Sequence, residues 1–207
     1  MDQLKKWHRD HTEAKAWGIF AFTTVMSVWS WSKIGTDISN PYRLFPLLGL
    51  IGFVTMWGHY IVWALREWSG AEAAKTEMYS KVTHLVVLVS ILLHPALLIF
   101  KLNADGLGVP PESYKAYVGD ALVGFVFLGT VCLIAFLAFE LKKYIKQYAT
   151  VWKVVMVANH LAMLGIVVHA IKLGNSVKQA PLKYIWPVYG VSLLAVYLYL
   201  ASKKKLV

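Results

Sequence analysis

Charged residues punctuate this chain at intervals that leave six long apolar stretches. They lie between Lys15 and Lys33, Arg43 and Arg66, Lys81 and Lys101, Asp120 and Glu140, Lys153 and Lys172, and Lys183 and Lys203. A run of about 18 or more uncharged, mostly apolar residues is long enough to cross the hydrocarbon core of a bilayer. The first stretch encloses only 17 residues. It is counted as spanning because Trp17, Trp29 and Trp31 sit near its ends, where indole rings favour the membrane interface. The longer connectors, around residues 66–81 and 101–117, carry Gly, Pro and mixed charges and read as loops. No strand-like alternation or internal repeat stands out.

The pattern therefore predicts an all-α integral membrane protein, a six-transmembrane-helix bundle. Residues 1–15 form an amphipathic segment before the bundle, 16–202 the transmembrane domain, and 203–207 a basic tail. With 207 residues and 58% hydrophobic content, the helices and their connectors leave no room for a separate soluble domain.

Charge gives the orientation. The N-terminal tail, the second and fourth connectors and the C-terminal tail together carry 14 Lys and Arg, against 7 on the opposite side. The positive-inside bias then puts both termini in the cytoplasm. The net charge of +10 is the same bias seen in total, because the cations sit at helix ends, so nucleic acid is not the expected partner. Met1 to Lys15 is too polar, and lacks the small-residue cleavage site, for a removable signal peptide. The single Cys132 excludes an intrachain disulfide and reads as a packing residue in the fourth span.

Five of the seven histidines fall inside spans, where a titratable group is costly and needs a partner. Four form matching pairs, His84 and His94 in the third span and His160 and His169 in the fifth. Odd-numbered spans run in the same direction, so the pairs can meet early-to-early and late-to-late. By their distance from flanking lysines, His94 and His169 belong to the outer half of the membrane, and His84 and His160 to the inner half. The spacings of 10 and 9 residues correspond to separations of roughly 15 and 13.5 Å. Neutral imidazole nitrogens bind haem iron, and the porphyrin fills the apolar space between facing helices. Small residues are then expected along the ring's path: Gly165 lies one turn before His169, and Gly119, Gly124 and Gly129 interrupt the neighbouring fourth span. Close helix packing accounts for the same glycines without a cofactor.

With these histidines in place, the chain resembles the ferric-reductase-like transmembrane domain. That family is shared by ferric reductases, NADPH oxidases, single-haem metalloreductases and the haem subunit of a periplasmic methionine sulfoxide reductase. The resemblance covers about residues 44–200. It rests on the six-span layout, on Leu92-Leu93-His94-Pro95, and on a fifth span that opens at Trp152-Lys153 and ends Val167-Val168-His169. It implies that His94 and His169 are the axial ligands of an outer haem. It also implies inner ligands 14 and 13 residues earlier, but those positions hold Ser80 and Met156. Histidine stands one turn later on both spans, at His84 and His160, as a relocated inner haem would require. Helical phase opposes this. At 100° per residue, His84 lies about 80° from His94, and His160 about 180° from His169. Without an inner haem, His84 becomes an interfacial polar residue and His160 a hydrogen-bonded packing residue, with Asn159 as its neighbour.

Further residues invite a role. His59, at the depth of His160, could bond a haem propionate, relay a proton or line a quinone pocket; an ordinary buried histidine satisfied by a neighbour is the competing reading. Arg66, Lys81 and Lys153 at the cytoplasmic boundary could pair with propionates or a flavin phosphate, or simply mark the lipid boundary. His8 and His11 stand at a helical i, i+3 spacing but lack a third ligand. They fit an amphipathic segment with Leu4 and Trp7 resting on the membrane. Pro95 removes a backbone donor and can bend the third span. No Gly-rich nucleotide fingerprint or nucleophilic triad is recognisable.

The sequence thus leads to a membrane b-type cytochrome with one or two haem b groups, in a bacterial inner or a plasma membrane. Single electrons would pass from a cytoplasmic donor to an outer-side acceptor. The donor would be a separate flavoprotein, a flavin such as FAD or FMN, or a quinol. Two alternatives stand beside it: a haem-free scaffold or a metal or proton transporter using the intramembrane histidines, and a haem-bearing anchor of a quinone-linked complex.

Overall fold

The computed structural model describes residues 2–205; Met1 and the last two residues of the basic tail 203–207 lie outside the described residues. Its α-helices are α1 (Asp2–Asp10), α2 (Thr12–Ser32), α3 (Pro41–Ser69), α4 (Glu77–Ala104), α5 (Glu112–Val118), α6 (Asp120–Glu140), α7 (Lys142–Ile145), α8 (Ala149–Leu173) and α9 (Leu182–Ser202). Short 3₁₀ turns at Ala73–Thr76 and Ser176–Lys178 lead into α4 and towards α9. No strand occurs among the described residues.

Local chemistry sets the ends of the longest helix. The Asn40 side chain accepts from the Tyr42 backbone N–H at 2.9 Å, with Pro41 in the first turn, where a missing N–H costs nothing. Gly70 closes α3 in the left-handed region at φ 70°, a conformation glycine adopts without a Cβ clash. Between α5 and α6, Gly119 at φ 79° lets the chain break one helix and start the next without a loop.

Five helical segments are long and apolar enough to cross a membrane: α3, Ala73–Ala104 containing α4, α6, α8 and α9. Large apolar side chains point outward along them, among them Val131 and Ile134 on α6, Leu161 on α8 and Leu198 on α9. A surface this apolar belongs against acyl chains rather than water. The chain is a multi-pass, all-helical membrane protein.

The first predicted span, α2, does not reach that apolar standard, and the reason is visible in its faces. Thr23, Ser27 and Ser30 are buried, while Phe22, Val25 and Trp29 are exposed. The hydroxyls of Thr23 and Ser27 donate to the carbonyls of Ile19 and Thr23 at 2.9 and 2.8 Å, so they enter the bundle already satisfied. The polar stripe that lowers the mean hydropathy of α2 therefore faces its neighbours. Glu13 accepts from the Tyr79 N–H at 3.1 Å near one end of α2. At the other end, Trp31 Nε1 donates to the Arg43 carbonyl at 2.6 Å and Ser30 Oγ accepts from the Leu182 N–H at 3.0 Å.

Helices α3 and α4 pack closely as one pair, and α6 and α8 as another, with α9 touching both α3 and α8. The core centres on α3 against α9: Phe53 lies 4.6 Å from the Trp186 ring, and Trp57 lies 4.7 Å from Tyr189 while donating to Ser192 at 2.9 Å. The two ends of the chain share one end of the bundle. There, α1 rests on α3 through His8 and Trp68, and Lys205 reaches Glu67 at 3.7 Å.

Candidate haem-ligand site

At the opposite end of the bundle, His94 of α4 and His169 of α8 face one another across the two helix pairs. Their ring centroids are 6.5 Å apart, with planes inclined at 78°. Each ring is held in the same way by the partner helix of its own pair. His94 Nδ1 donates to the Phe45 carbonyl of α3 at 2.6 Å, and His169 Nδ1 donates to the Phe125 carbonyl of α6 at 2.8 Å. A carbonyl can only accept, so Nδ1 carries the proton in both rings and Nε2 keeps its lone pair.

A glycine four residues after each phenylalanine makes the contact feasible. A side chain at i+4 leans back over the carbonyl of residue i. Gly49 and Gly129 have none, and the imidazoles fill that space. A Cβ added at Gly49 would stand 2.8 Å from His94 Cε1 and Nδ1, and one at Gly129 would stand 2.6 Å from the same atoms of His169. The two sites repeat one device: Phe45-x-x-x-Gly49 seats His94, and Phe125-x-x-x-Gly129 seats His169.

This donor set suits a metalloporphyrin. Ligating histidines commonly give their second ring N–H to a carbonyl, which fixes tautomer and orientation. Two neutral imidazoles with free Nε2 lone pairs are the kind of donors that would hold a haem iron between facing helices. Among the described residues, no group of three or more His, Cys, Asp or Glu is placed to hold a free metal ion.

The inner histidines have different partners. His84 Nε2 meets Glu140 Oε2 at 2.9 Å, joining α4 to the end of α6 with both side chains partly exposed. His160 is buried on α8, its Nδ1 2.9 Å from the Tyr60 hydroxyl of α3. Tyr60 also accepts from Asn159 at 2.8 Å, and Tyr197 donates to the His160 carbonyl at 3.2 Å. The half-turn phase difference between His160 and His169 is realised: one ring faces α6, the other α3 and α9.

His59 gives its Nε2–H to Thr83 Oγ1 at 2.7 Å, since that hydroxyl is itself spent on the Tyr79 carbonyl. Gly165 packs α8 on α6, where an added Cβ would stand 2.7 Å from Cys132 Sγ. Gly124 has open space around it. Of the boundary cations, Lys81 pairs with Glu77 at 2.7 Å, whereas Arg66 Nε is buried without a hydrogen-bond partner. His8 and His11 go to separate partners, Lys15 Nζ and the Trp7 carbonyl, both at 2.9 Å.

Just beyond the end of α4, Asp105 ties that end to the start of α3. It pairs with Lys101 and accepts from the Tyr42 hydroxyl at 2.7 Å. These two contacts, that with Lys101 the larger, hold its carboxyl below the ordinary carboxylate range. Tyr42 stacks on Tyr117 of α5 at 5.4 Å.

No protein-family model, curated protein or solved structure matches this chain. The residues that sequence reading overlooked are Phe45, Gly49 and Phe125. Their signal was the Phe-x-x-x-Gly spacing, present once on α3 and once on α6.

Proposed function

We propose that this protein is a membrane b-type cytochrome of the ferric-reductase-like kind, with His94 and His169 as axial ligands of one haem b near the outer face. The observation that carries the reading is the pair of imidazoles with ring centroids 6.5 Å apart, each with Nδ1 pinned to a carbonyl and Nε2 left free. Bound haem would supply reversible one-electron chemistry. The chain supplies the rest. Phe45 and Phe125 orient the rings through their carbonyls, Gly49 and Gly129 admit them, and the apolar helix faces exclude water.

The same reading takes all six stretches as crossings, α2 included, with both termini cytoplasmic. Chain ends on one side require an even number of crossings, and α2 makes contacts at both its ends. Electrons would enter from a separate cytoplasmic flavoprotein, a reduced flavin or the quinol pool, and leave to an acceptor on the outer side, a direction that follows from the family resemblance. A single haem is favoured over two because His84 engages Glu140 through Nε2, the nitrogen that His94 and His169 leave free.

The test is haem content and the reduced-minus-oxidised spectrum of purified full-length protein carrying single substitutions. His94→Ala and His169→Ala should each abolish the b-type α band, whereas His84→Ala should leave the haem-to-protein ratio near one. A ratio near two that falls to one in His84→Ala or His160→Ala would restore the inner haem. A colourless, fully folded wild type would reject the cytochrome.

A further inference from the structure

The amphipathic helix α1 carries a cationic groove. Lys5, Lys6 and Arg9, with Gln3 and the end of α3 at Ser69, line an open groove of about 350 Å³. None of these three cations has an ion-pair partner among the described residues. Nearby acids are taken elsewhere: Asp10 by Lys75 at 3.5 Å, Glu67 by Lys205 at 3.7 Å, and Glu13 by the Tyr79 N–H at 3.1 Å. One turn before Ser69, Arg66 Nε is buried and lacks a hydrogen-bond partner. On the other face of α1, Leu4 and Trp7 are both 53% exposed.

We infer that this groove is a binding site for the phosphate of an anionic phospholipid headgroup. The geometry selects a lipid over a soluble phosphate. At about 100° per residue, Lys5, Lys6 and Arg9 occupy one side of α1 while Leu4 and Trp7 occupy the opposite side. A helix so divided lies in the interface with its apolar side among acyl chains and its cations at headgroup level. The groove opens where α3 leaves the membrane at Ser69 and Gly70, so a headgroup reaches it without leaving its leaflet. Each cation near an anionic surface strengthens attraction appreciably, and three converging on one groove give preference for charged over zwitterionic lipid.

Retention of phosphatidylglycerol against phosphatidylcholine by the full chain, measured by native mass spectrometry from mixed-lipid nanodiscs, tests the site. The combined Lys5→Gln, Lys6→Gln, Arg9→Gln variant should lose about tenfold in phosphatidylglycerol retention. A control with Lys142→Gln, Lys143→Gln and Lys146→Gln should keep it. Equal retention of the two lipids, no loss in the first variant, or the same loss in the control would each overturn the assignment. So would inorganic phosphate occupying the site in detergent while phosphatidylglycerol shows no preference. Should the variant fail to fold, a salt series on the unaltered chain decides: retention must fall as the charges are screened, and retention indifferent to salt overturns the site. Haem content plays no part in this readout, so the result stands or falls apart from the cytochrome reading.

Discussion

Four backbone positions determine what His94 and His169 can do. A methyl group at Gly49 or Gly129 would stand 2.8 or 2.6 Å from atoms of the imidazole that is hydrogen-bonded to the Phe45 or Phe125 carbonyl, so the ring would have to shift relative to that carbonyl. Gly129→Ala is therefore expected to displace the His169 ring and lower haem occupancy, with a stability loss of about 1–3 kcal/mol typical of overpacking. Gly124→Ala on the same helix meets nothing within 4 Å and should be silent in both respects. Haem content and thermal denaturation in detergent, compared across the two variants, check this. The buried cluster of Tyr60, Asn159 and His160 offers the opposite contrast. Tyr60→Phe removes the hydroxyl to which His160 and Asn159 both bond and should cost about 1–3 kcal/mol in stability, yet leave the α band in place. His94 and His169 stood out in the sequence because a titratable side chain in hydrocarbon demands a reason. Their seats did not, because a carbonyl made accessible by a glycine four residues later leaves no trace in composition.

Among the elements, α2 shows how buried hydroxyls lower the hydropathy of a helix whose other face is apolar. The hydroxyls of Thr23 and Ser27 bond carbonyls of the preceding turn and face inward, so their polarity is satisfied within the bundle. The tryptophans near its ends are the sequence signal for a crossing, whereas by length and composition only five helices qualify. Single cysteines in a Cys132→Ser background, probed on intact cells with an impermeant maleimide, test the crossing. Ser39→Cys, between α2 and α3, should label from outside, and Gln3→Cys should label only after lysis. Labelling of both from the same side would remove α2 from the membrane. Where the start of α3 meets the end of α4, Asp105 gives a pH dependence with a definite sign. Its folded carboxyl is held below its unfolded value, so its contribution is fully present at neutral pH and is lost as pH falls through the depressed value. The stability difference between wild type and Asp105→Asn should accordingly shrink in acid, below about pH 4, and a difference independent of pH would contradict the pairing.

Taken whole, the molecule is two helix pairs bridged by α9, and the site lies where the pairs face each other. Both pairs supply a histidine from one helix and a phenylalanine carbonyl and glycine from the other, so neither pair can form the site alone. The apolar stretches made the all-helical, multi-pass character readable from the sequence, but not which helices pair. The fate of the inner histidines was not readable either, since Glu140 and Tyr60 lie far away in the chain and only packing brings them near. The perpendicular ring planes, 78° apart, give the account its sharpest consequence. Low-temperature electron paramagnetic resonance of the oxidised, full-length protein should show a low-spin ferric signal of the strongly anisotropic kind that crossed imidazole planes produce, and it should vanish in both His94→Ala and His169→Ala. A high-spin signal alone, a low-spin signal that survives those substitutions, or a folded protein without haem would contradict it.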